Sequence, residues 1–470
     1  MAETLKCDVA VIGAGTAGLA AERAARANGA STLLIDPQYA GTTCATVGCM
    51  PSKLLIAASH AAHAARSTDM FGITVSDVAI DGSAVLQRVR DERDRFARLT
   101  REGIEDIPAD IRLTGKARFL APDRLALDDG RVIEARSIVI ATGSSPFIPD
   151  QFAGLGQRLL TNESIFELED LPDRLAVVGS GAIGLELAQA MARLDVDVTV
   201  FDHGEQLGGI RCPKVHDALK AIIEGDLTLQ LGVELEVKSA DDRVTLAWNG
   251  ESPGQADFDH VLVATGRPPN LESLNLADSG LELDDDGVPV HDRNTMQCGD
   301  SSIFLAGDLA NDLPLLHEAS QDGAIAGRNA VAFPASTQAE RFTPFSIIFT
   351  SPAVARIGKS EEDGVITGTA DFSDQGRARV EGVNEGVLTL YAAAPDGRLI
   401  GADLCTPASE HLAHMLAWAI QQGQTATQLL EMPFYHPTIE EGLKQALRTI
   451  CSATPLDLPQ DQDLGVPSGA

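Results

Sequence analysis

The chain has 470 residues, 44% hydrophobic content and a formal net charge of −32, which together predict a globular protein of several domains. That charge argues against nucleic acid and anionic membrane surfaces as partners, because both are polyanions. The sequence has no apolar run of about 18 residues and no signal-peptide pattern, and its seven cysteines are too few for a disulfide framework. We therefore expect a cytoplasmic protein without a membrane span.

The first motif is a strand, a tight turn, a helix and a second strand over residues 7–36. Its turn has the order G-x-G-x-x-G at Gly13, Gly15 and Gly18, and the second strand ends in Asp36. The first glycine allows the bend, the second lets the backbone approach a pyrophosphate, and the third lets the helix pack on the strand. Because an acid at the end of the second strand can accept hydrogen bonds from a ribose, the motif predicts a dinucleotide site.

The same motif returns over residues 174–202. Its glycines are Gly179, Gly181 and Gly184, and its second strand ends in Asp202. Two such motifs in one chain indicate two bound dinucleotides.

Three further apolar strands run into glycine. "SIVIATG" ends at Gly143 and "HVLVATG" at Gly266, where the chain would close each nucleotide-binding domain, and "SSIFLAGD" ends in Asp308. After residue 340 the pattern changes to antiparallel strands around an "APDG" turn, followed by helices. These features predict an α/β protein with two Rossmann-like domains and an α+β C-terminal domain.

Two cysteines, Cys44 and Cys49, lie five positions apart in "AGTTCATVGCMPSK". A zinc site would need further cysteine or histidine ligands at short spacing, and none lies nearby in the sequence. The start of a helix lowers the pKa of a thiol, which favours reactivity. The pair by itself is compatible either with a redox disulfide or with two inert thiols.

The order of these motifs resembles the flavin-dependent pyridine nucleotide–disulfide oxidoreductases over nearly the whole chain. The match comprises both G-x-G-x-x-G turns, C-x4-C-x-P-S-K, both Ala-Thr-Gly strands, the Gly-Asp turn and "HPTIEE" near the end. Within that family, the chain is most similar to the dihydrolipoamide dehydrogenases.

The resemblance implies that FAD and NAD are the two cofactors, and that no metal is bound. For FAD it implies the binding residues Gly13, Gly15, Gly18, Asp36, Gly143 and Asp308, and an ion pair of Lys53 with Glu186 beside the flavin ring. For NAD it implies Gly179, Gly181, Gly184, Asp202 and Gly266.

The choice of NAD over NADP depends on Asp202. Its carboxylate can accept from a ribose 2′-hydroxyl and would repel a 2′-phosphate. No arginine or lysine follows before Arg211, and His203 is mostly neutral at pH 7. We therefore expect NAD.

The resemblance also implies the catalytic groups. Cys44 and Cys49 would form a redox-active disulfide, in which Cys44 exchanges with substrate and Cys49 contacts the flavin. His436 would be the base, and Glu441 would hold its imidazole in one tautomer. Since the family's histidine reaches the active site of the other subunit, we expect a homodimer with shared sites.

The expected domains follow the family order. They are an FAD domain with the redox disulfide at residues 1–148, an NAD domain at 149–268 and a central domain that completes the FAD site at 269–340. A dimer-interface domain at 341–455 and a flexible tail at 456–470 follow. The expected reaction oxidises dihydrolipoamide, or a lipoyl-bearing protein, for example within a 2-oxo acid dehydrogenase complex.

Two departures leave the substrate open. The family usually has glycine and asparagine at positions 42 and 46 of the redox motif, where this chain has Thr42 and Thr46. The alternative is a sister reductase of glutathione disulfide or another small disulfide. The absence of a C-terminal cysteine pair weighs against a mercuric reductase.

Overall fold

The computed structural model describes residues 3–240, 243–360 and 364–454. The α-helices are α1 Thr16–Ala27, α2 Thr43–Thr46, α3 Cys49–Arg66, α4 Gly82–Glu105, α5 Ala182–Ala192, α6 Pro213–Asp226, α7 Leu316–Ala332, α8 Gly376–Glu381, α9 Ser409–Gln421, α10 Ala426–Leu430 and α11 Leu443–Ser452. Short 3₁₀ helices lie at Asp69–Phe71, Asp150–Arg158, Ile165–Glu167, Glu272–Leu274, Leu276–Ser279, Asp308–Ala310 and Ile439–Gly442.

The strands alternate with helices at each glycine turn and follow one another directly in runs such as residues 112–140 and 228–263. They are β1 Thr4–Ile12, β2 Thr32–Asp36, β3 Arg112–Thr114, β4 Ala117–Ala121, β5 Arg124–Leu127, β6 Val132–Ile140, β7 Leu159–Leu160, β8 Arg174–Val178, β9 Asp197–Phe201, β10 Thr228–Gln230, β11 Glu234–Ala240, β12 Val244–Asn249, β13 Gly254–Phe258, β14 His260–Val263, β15 Ile303–Leu305, β16 Phe345–Ile348, β17 Val354–Gly358, β18 Val365–Asp371, β19 Val387–Ala393 and β20 Arg398–Cys405.

The described chain divides into two compact units, and each is discontinuous in sequence. Among the described residues, the first unit comprises residues 3–54, 87–147 and 266–341. The second unit comprises residues 55–86, 148–240, 243–265, 342–360 and 364–454. The expected flexible tail, residues 456–470, lies outside the described residues.

The first unit is built on a seven-stranded sheet of order β3-β2-β1-β6-β5-β4, with β15 also paired to β6. Strands β3, β2, β1, β6 and β15 are parallel, whereas β5 runs antiparallel to both of its neighbours, β6 and β4. The last four residues of β1 are buried, as expected for a central apolar strand of a parallel sheet. Helices α1 and α7 contribute alanines to the core beside this strand.

The second unit contains a parallel five-stranded sheet of order β10-β9-β8-β14-β7, which repeats the Rossmann-like pattern. It also contains a three-stranded antiparallel sheet and a five-stranded antiparallel sheet of order β16-β17-β20-β19-β18. Residues of α9, α10 and α11 join the last sheet in one hydrophobic core. The predicted fold class, two Rossmann-like regions and an α+β C-terminal domain, is confirmed.

None of the described helices combines the length and the apolar character needed to cross a bilayer.

Candidate active site

Four of the predicted cofactor residues lie at one edge of the seven-stranded sheet. Gly13 follows β1, Asp36 ends β2, Gly143 comes three residues after β6, and Asp308 comes three residues after β15. Because these four strands are parallel, their carboxyl ends meet at the same edge. Ligands of open α/β sheets bind outside that edge.

The first glycine turn is shaped to admit a pyrophosphate. Gly13 has a φ of 103°, and a Cβ there would overlap the Ala141 carbonyl. A Cβ on Gly18 would overlap the Gly13 carbonyl, so this glycine allows α1 to pack closely. By contrast, a Cβ on Gly15 would meet nothing within 4 Å among the described residues. The open side of the turn therefore lies at Gly15, which is the N-cap of α1.

Asp36 fixes the same turn through its carboxylate. Its Oδ2 accepts a hydrogen bond from the Ala14 N–H at 3.0 Å. Its Oδ1 accepts from the Gln38 and Tyr39 N–H groups at 2.9 and 2.7 Å. A carboxylate offers about four lone-pair sites, so Asp36 retains capacity for one ribose hydroxyl.

Asp308 has polar neighbours that the sequence did not identify. The Ser144 hydroxyl donates to Asp308 Oδ2 at 3.0 Å. Arg267 donates from Nε to the Ser144 hydroxyl at 3.2 Å and from Nη2 to the Ser144 carbonyl at 2.8 Å. Ser144 and Arg267 each follow an Ala-Thr-Gly motif directly, which was the available sequence signal.

The two Ala-Thr-Gly segments are themselves joined. The Thr142 hydroxyl donates to the Asn270 carbonyl at 2.8 Å, and the Phe147 N–H donates to the Gly266 carbonyl at 3.0 Å. Gly143 and Gly266 therefore lie in adjacent connections of the first unit. Gly143, the open glycine turn and the half-buried Asp308 fit a flavin dinucleotide, and the expected role of Gly266 in binding NAD stays a prediction.

The second glycine turn repeats the first. A Cβ on Gly179 would overlap the Ala264 carbonyl, and a Cβ on Gly184 would overlap the Gly179 carbonyl. Around Gly181, the N-cap of α5, a Cβ would meet nothing within 4 Å among the described residues. The turn is thus open at the same relative position, and it fits a second dinucleotide.

Asp202 is held by several donors. Its Oδ2 accepts from the Ser180 N–H and hydroxyl, both at 2.7 Å, and its Oδ1 accepts from the Gly204 N–H at 2.9 Å. Burial alone would raise the pKa of Asp202, but these hydrogen bonds and the nearby His203 together hold it below the ordinary value of 3.8. The His203 side chain is 96% exposed, with Nδ1 at 3.2 Å from Asp202 Oδ1. Asp202 is therefore an ionised acceptor at the end of β9.

The two cysteines lie at the break between α2 and α3. Cys44 is half-buried inside α2, and Cys49 is the exposed first residue of α3. The hydrogen bond between the two thiols, with burial as the next cause, raises the pKa of Cys44, whereas the charge of Lys53 opposes that rise. The thiolate form of Cys44 is therefore disfavoured while Cys49 is its neighbour.

The threonines that depart from the family pattern are accommodated locally. Thr42 has a φ of −81° as the N-cap of α2, so this position does not require glycine. The neighbouring Gly41 supplies the positive φ of 104° instead. The Thr46 hydroxyl donates to the Thr42 carbonyl at 3.0 Å. Neither threonine prevents contact between the cysteines.

The predicted base lies beside its carboxylate in the second unit. His436 Nδ1 is 3.1 Å from Glu441 Oε2, and the His436 side chain is 61% exposed. Glu441 is buried; its Oε2 accepts from the Thr438 N–H at 3.1 Å, and its Oε1 lies 3.6 Å from Lys444 Nζ. The sequence did not identify Thr438 or Lys444, although the T-x-x-E capping pattern was a signal for the former.

The two residues of the other expected ion pair belong to different units. Lys53 follows Cys49 by one turn of α3 in the first unit, and Glu186 lies on α5 in the second. Glu186 is buried, and its Oε1 accepts from the Phe349 N–H at 2.9 Å. Their pairing stays a prediction. Within the described ranges, no group of three or more histidine, cysteine or acidic side chains is arranged to hold a metal ion.

Known proteins resemble this chain over most of its length. Residues 7–323 match the family profile described as pyridine nucleotide-disulphide oxidoreductase, and residues 344–447 match the dimerisation domain of that family.

The similar proteins include mercuric reductases and dihydrolipoyl dehydrogenases. The mercuric reductase of Acidithiobacillus ferrooxidans is 33% identical over 455 residues, which cover 94% of this chain and 82% of that protein. The dihydrolipoyl dehydrogenase of Halobacterium salinarum is 30% identical over 463 residues, which cover 93% of this chain and 95% of that protein.

Two solved structures share the fold. The HOCl-induced flavoprotein disulfide reductase RclA from Escherichia coli superposes with a TM-score of 0.79, and LpdA from Mycobacterium tuberculosis with 0.80. Each is 22% identical, and each alignment covers 94% of this chain and 99% of the other.

Proposed function

Because the chain belongs to the pyridine nucleotide-disulphide oxidoreductase family, we propose that it oxidises dihydrolipoyl groups through a Cys44–Cys49 disulfide, with NAD as hydride acceptor. The chain is an FAD-dependent oxidoreductase of that family, whose members use FAD and NAD(P). The observation that supports the proposed disulfide chemistry is the contact between the Cys44 and Cys49 thiols at the start of α3, near the positive charge of Lys53.

The sulfur chemistry is a pair of exchange steps. One substrate thiolate attacks Cys44 Sγ, the bond from Cys44 to Cys49 breaks, and Cys49 leaves as a thiolate. The second substrate thiolate then attacks the substrate sulfur bonded to Cys44, which releases the oxidised substrate and a Cys44 thiolate that takes up a proton. The raised pKa of Cys44 supports this order, because the remaining charge stays on Cys49.

His436 would receive the proton that the substrate thiol loses. Its Nδ1 faces the Glu441 carboxylate, so Nε2 is the nitrogen that exchanges protons with substrate. The Thr438 N–H and Lys444 keep the Glu441 carboxylate oriented. A buried carboxylate in this position stabilises the imidazolium while it holds the proton.

The chain's glycine turns would hold the two cofactors. When bound, FAD would supply the two-electron redox chemistry between the dithiol and the nicotinamide. Gly15 and the start of α1 would face its pyrophosphate, Asp36 its adenosine ribose and Asp308 its ribityl chain, with Lys53 and Glu186 beside the ring. Gly181 and Asp202 would hold NAD in the same manner, and the ionised Asp202 would disfavour the 2′-phosphate of NADP.

A homodimer belongs to the same proposal. Residues 344–447 match the family's dimerisation domain, and this part of the second unit exposes large apolar side chains. Trp418 is 67% exposed and Tyr435 is 83% exposed. Such exposed aromatic groups are typical of protein interfaces. In the dimer, His436 would serve the cysteine pair of the other subunit.

A second candidate is a reductase that acts on a small disulfide or a soft metal ion. It is favoured by the 33% identity to a mercuric reductase, which exceeds the 30% identity to the dihydrolipoyl dehydrogenase of Halobacterium salinarum. Its electrons would flow in the opposite direction, from nicotinamide to the cysteine pair.

Parallel assays of the purified protein separate the two candidates. NAD-dependent oxidation of dihydrolipoamide should be the fastest reaction, and it should exceed NADH- or NADPH-dependent reduction of glutathione disulfide and of Hg²⁺. The variant Cys44→Ser should abolish the lipoamide reaction but retain bound FAD. Faster turnover of Hg²⁺ or glutathione disulfide in the wild type would replace the first candidate with the second.

A further inference from the structure

Two buried carboxylates on α7 share one guanidinium. Arg341 Nη2 lies 2.7 Å from Glu318 Oε2 and 2.6 Å from Asp322 Oδ1. Glu318 is 1% exposed and Asp322 is 6% exposed, and the Arg341 side chain is 12% exposed. Buried carboxylates one helical turn apart repel each other, so the arginine is required to offset both charges.

The only other cation within ion-pair distance of these carboxylates in the described chain, apart from the exposed His317, is Arg293. Its Nη2 is 3.5 Å from Glu318 Oε2, but its Nε lies 2.7 Å from Asp312. His317 Nε2 is 4.0 Å from Glu318 Oε1. Arg341 therefore makes the shortest cation contact with Glu318, and among the described residues it is the one cation paired with Asp322.

Asp322 connects this cluster to the flavin-binding turn. Its second oxygen, Oδ2, accepts a hydrogen bond from the Gly307 N–H at 3.3 Å. Gly307 has a φ of 83° and immediately precedes Asp308. Ser144 contacts the Asp308 carboxylate itself. The turn is thus supported at its backbone by Asp322 and at its side chain by Ser144.

The helix that carries both carboxylates is itself fixed against α1. A Cβ on Gly323 would overlap the Ala17 carbonyl, and a Cβ on Gly327 would overlap the Ala21 carbonyl. Backbones this close leave no room for α7 to shift along α1. Asp322 therefore lies on a helix of fixed position, and the orientation of its side chain towards Gly307 depends on Arg341.

We propose that Arg341 is a positioning residue for the flavin: it pairs with Glu318 and Asp322 so that Asp322 holds the Gly307–Asp308 turn in the shape that binds the ribityl chain. The inference deepens the proposed function and rests on its assignment of FAD to Asp308. Arg341 lies between the two matched family segments, 7–323 and 344–447, so neither profile includes it.

The test measures FAD affinity separately from fold stability. In Arg341→Gln, the dissociation constant of FAD, followed by flavin fluorescence, should rise by about tenfold or more, as for other lost outer supports of a bound group. The visible circular dichroism of the flavin should change, and Arg341→Lys should recover most of the affinity because it restores the charge.

A matched control lies in the second unit. Arg193 is also buried, with Nε at 2.9 Å from Asp226 and Nη2 at 3.0 Å from the Ser351 carbonyl. Arg193→Gln should lower the melting temperature similarly but leave the FAD dissociation constant of the folded protein unchanged. Equal loss of FAD affinity in both variants would overturn the inference, as would an unchanged affinity in Arg341→Gln.

A second pair of variants decides the question if Arg341→Gln does not fold. Asp322→Asn keeps an oxygen that can accept from Gly307, whereas Asp322→Ala does not. The alanine variant should bind FAD several-fold more weakly than the asparagine variant, and equal affinities would overturn the inference. A wild-type protein without FAD affinity would instead contradict the proposed function.

Discussion

At the scale of single residues, the two cysteines differ in environment. With Cys44→Ser, the Cys49 thiolate should still donate to oxidised flavin and give a long-wavelength charge-transfer band, because Lys53 and the start of α3 favour its ionised form. With Cys49→Ser the band should be absent or much weaker, because Cys44 is the sulfur that would face the substrate and because burial still raises its pKa after the larger effect of Cys49 is lost. Absorbance spectra of both variants at neutral pH check this.

Both cysteine variants should retain FAD and lose dithiol oxidation. A band in the Cys49→Ser variant alone would reverse the two roles. Full lipoamide turnover in either variant would mean that the cysteines are bystanders.

Asp202 determines the expected preference for NADH. The double variant Asp202→Ala with His203→Arg should shift the ratio of kcat/KM values towards NADPH, because it removes a negative charge and adds a positive one beside the ribose. Steady-state kinetics with both reduced nucleotides measure the shift. The single variant His203→Arg is the matched control and should shift it less; a wild type that prefers NADPH would contradict the assignment.

The same carboxylate has a defined effect on stability. Because the pKa of Asp202 is lower in the folded chain than the ordinary 3.8, its ionised form stabilises the folded state above that pH. This contribution is lost as the pH falls through the lower folded value. Asp202→Asn should therefore reduce the steepness of acid unfolding.

At the scale of elements, the paired glycine turns should be separable by mutation. Gly18→Ala should abolish FAD binding because its Cβ overlaps the Gly13 carbonyl, and Gly184→Ala should spare FAD but weaken NADH binding. Gly15→Ala should keep the melting temperature of the apoprotein while lowering FAD affinity, since its Cβ meets no described protein atom within 4 Å. Flavin content, calorimetry and nucleotide titration measure the three outcomes.

Loss of FAD from Gly184→Ala, with its NADH affinity intact, would show that the two turns had been assigned to the wrong cofactors. An apoprotein of Gly15→Ala that unfolds at a much lower temperature would show that this position serves packing.

The elements near the glycine turns could be predicted because their signals are local. A turn, a helix start and a strand end within about 30 residues determine the site around Gly13 and Asp36. His436 and Glu441 lie five positions apart, and His436 lies just before the capped turn that contains Glu441, so their spacing was also a local signal.

The supports of the site could not be predicted in the same way. Ser144 and Asp308 are 164 positions apart, and Arg341 is 19 positions from Asp322, beyond the end of α7 and in an irregular segment. Such contacts depend on how β6, β15 and α7 are arranged in three dimensions. A lone arginine before an irregular segment gives no sequence signal of the two carboxylates it will meet.

At the scale of the whole molecule, the shared active site can be tested by mixing subunits. His436→Ala alone should reduce turnover by about 10²- to 10⁴-fold, as is typical for a lost acid–base group. A purified heterodimer of His436→Ala and Cys44→Ser chains should recover about half of the wild-type activity, because one of the two sites of a symmetric dimer is then intact. Differently tagged chains and two-step affinity purification isolate it.

Two inactive homodimers provide the background for that measurement. If the isolated heterodimer is as inactive as they are, each site is formed within a single chain, and the assignment across subunits is wrong.

The net charge of −32 should make the fold sensitive to salt. Self-repulsion among acidic groups destabilises a compact state, and salt screens it. The melting temperature should rise between about 0.05 and 0.5 M NaCl, over which the Debye length falls below 10 Å. A fall in melting temperature over the same range would show that attractive ion pairs outweigh the repulsion.

The discontinuous first unit has a consequence for synthesis on the ribosome. The strands of the parallel sheet in the second unit lie within residues 159–263 and can assemble as soon as this stretch has emerged. The sheet of the first unit waits longer, because β6 gains its partner β15 only after residue 305. Until then the nascent chain presents an unpaired apolar strand edge, which invites chaperones or aggregation. We therefore expect flavin to bind late in synthesis, after β15 and Asp308 have emerged.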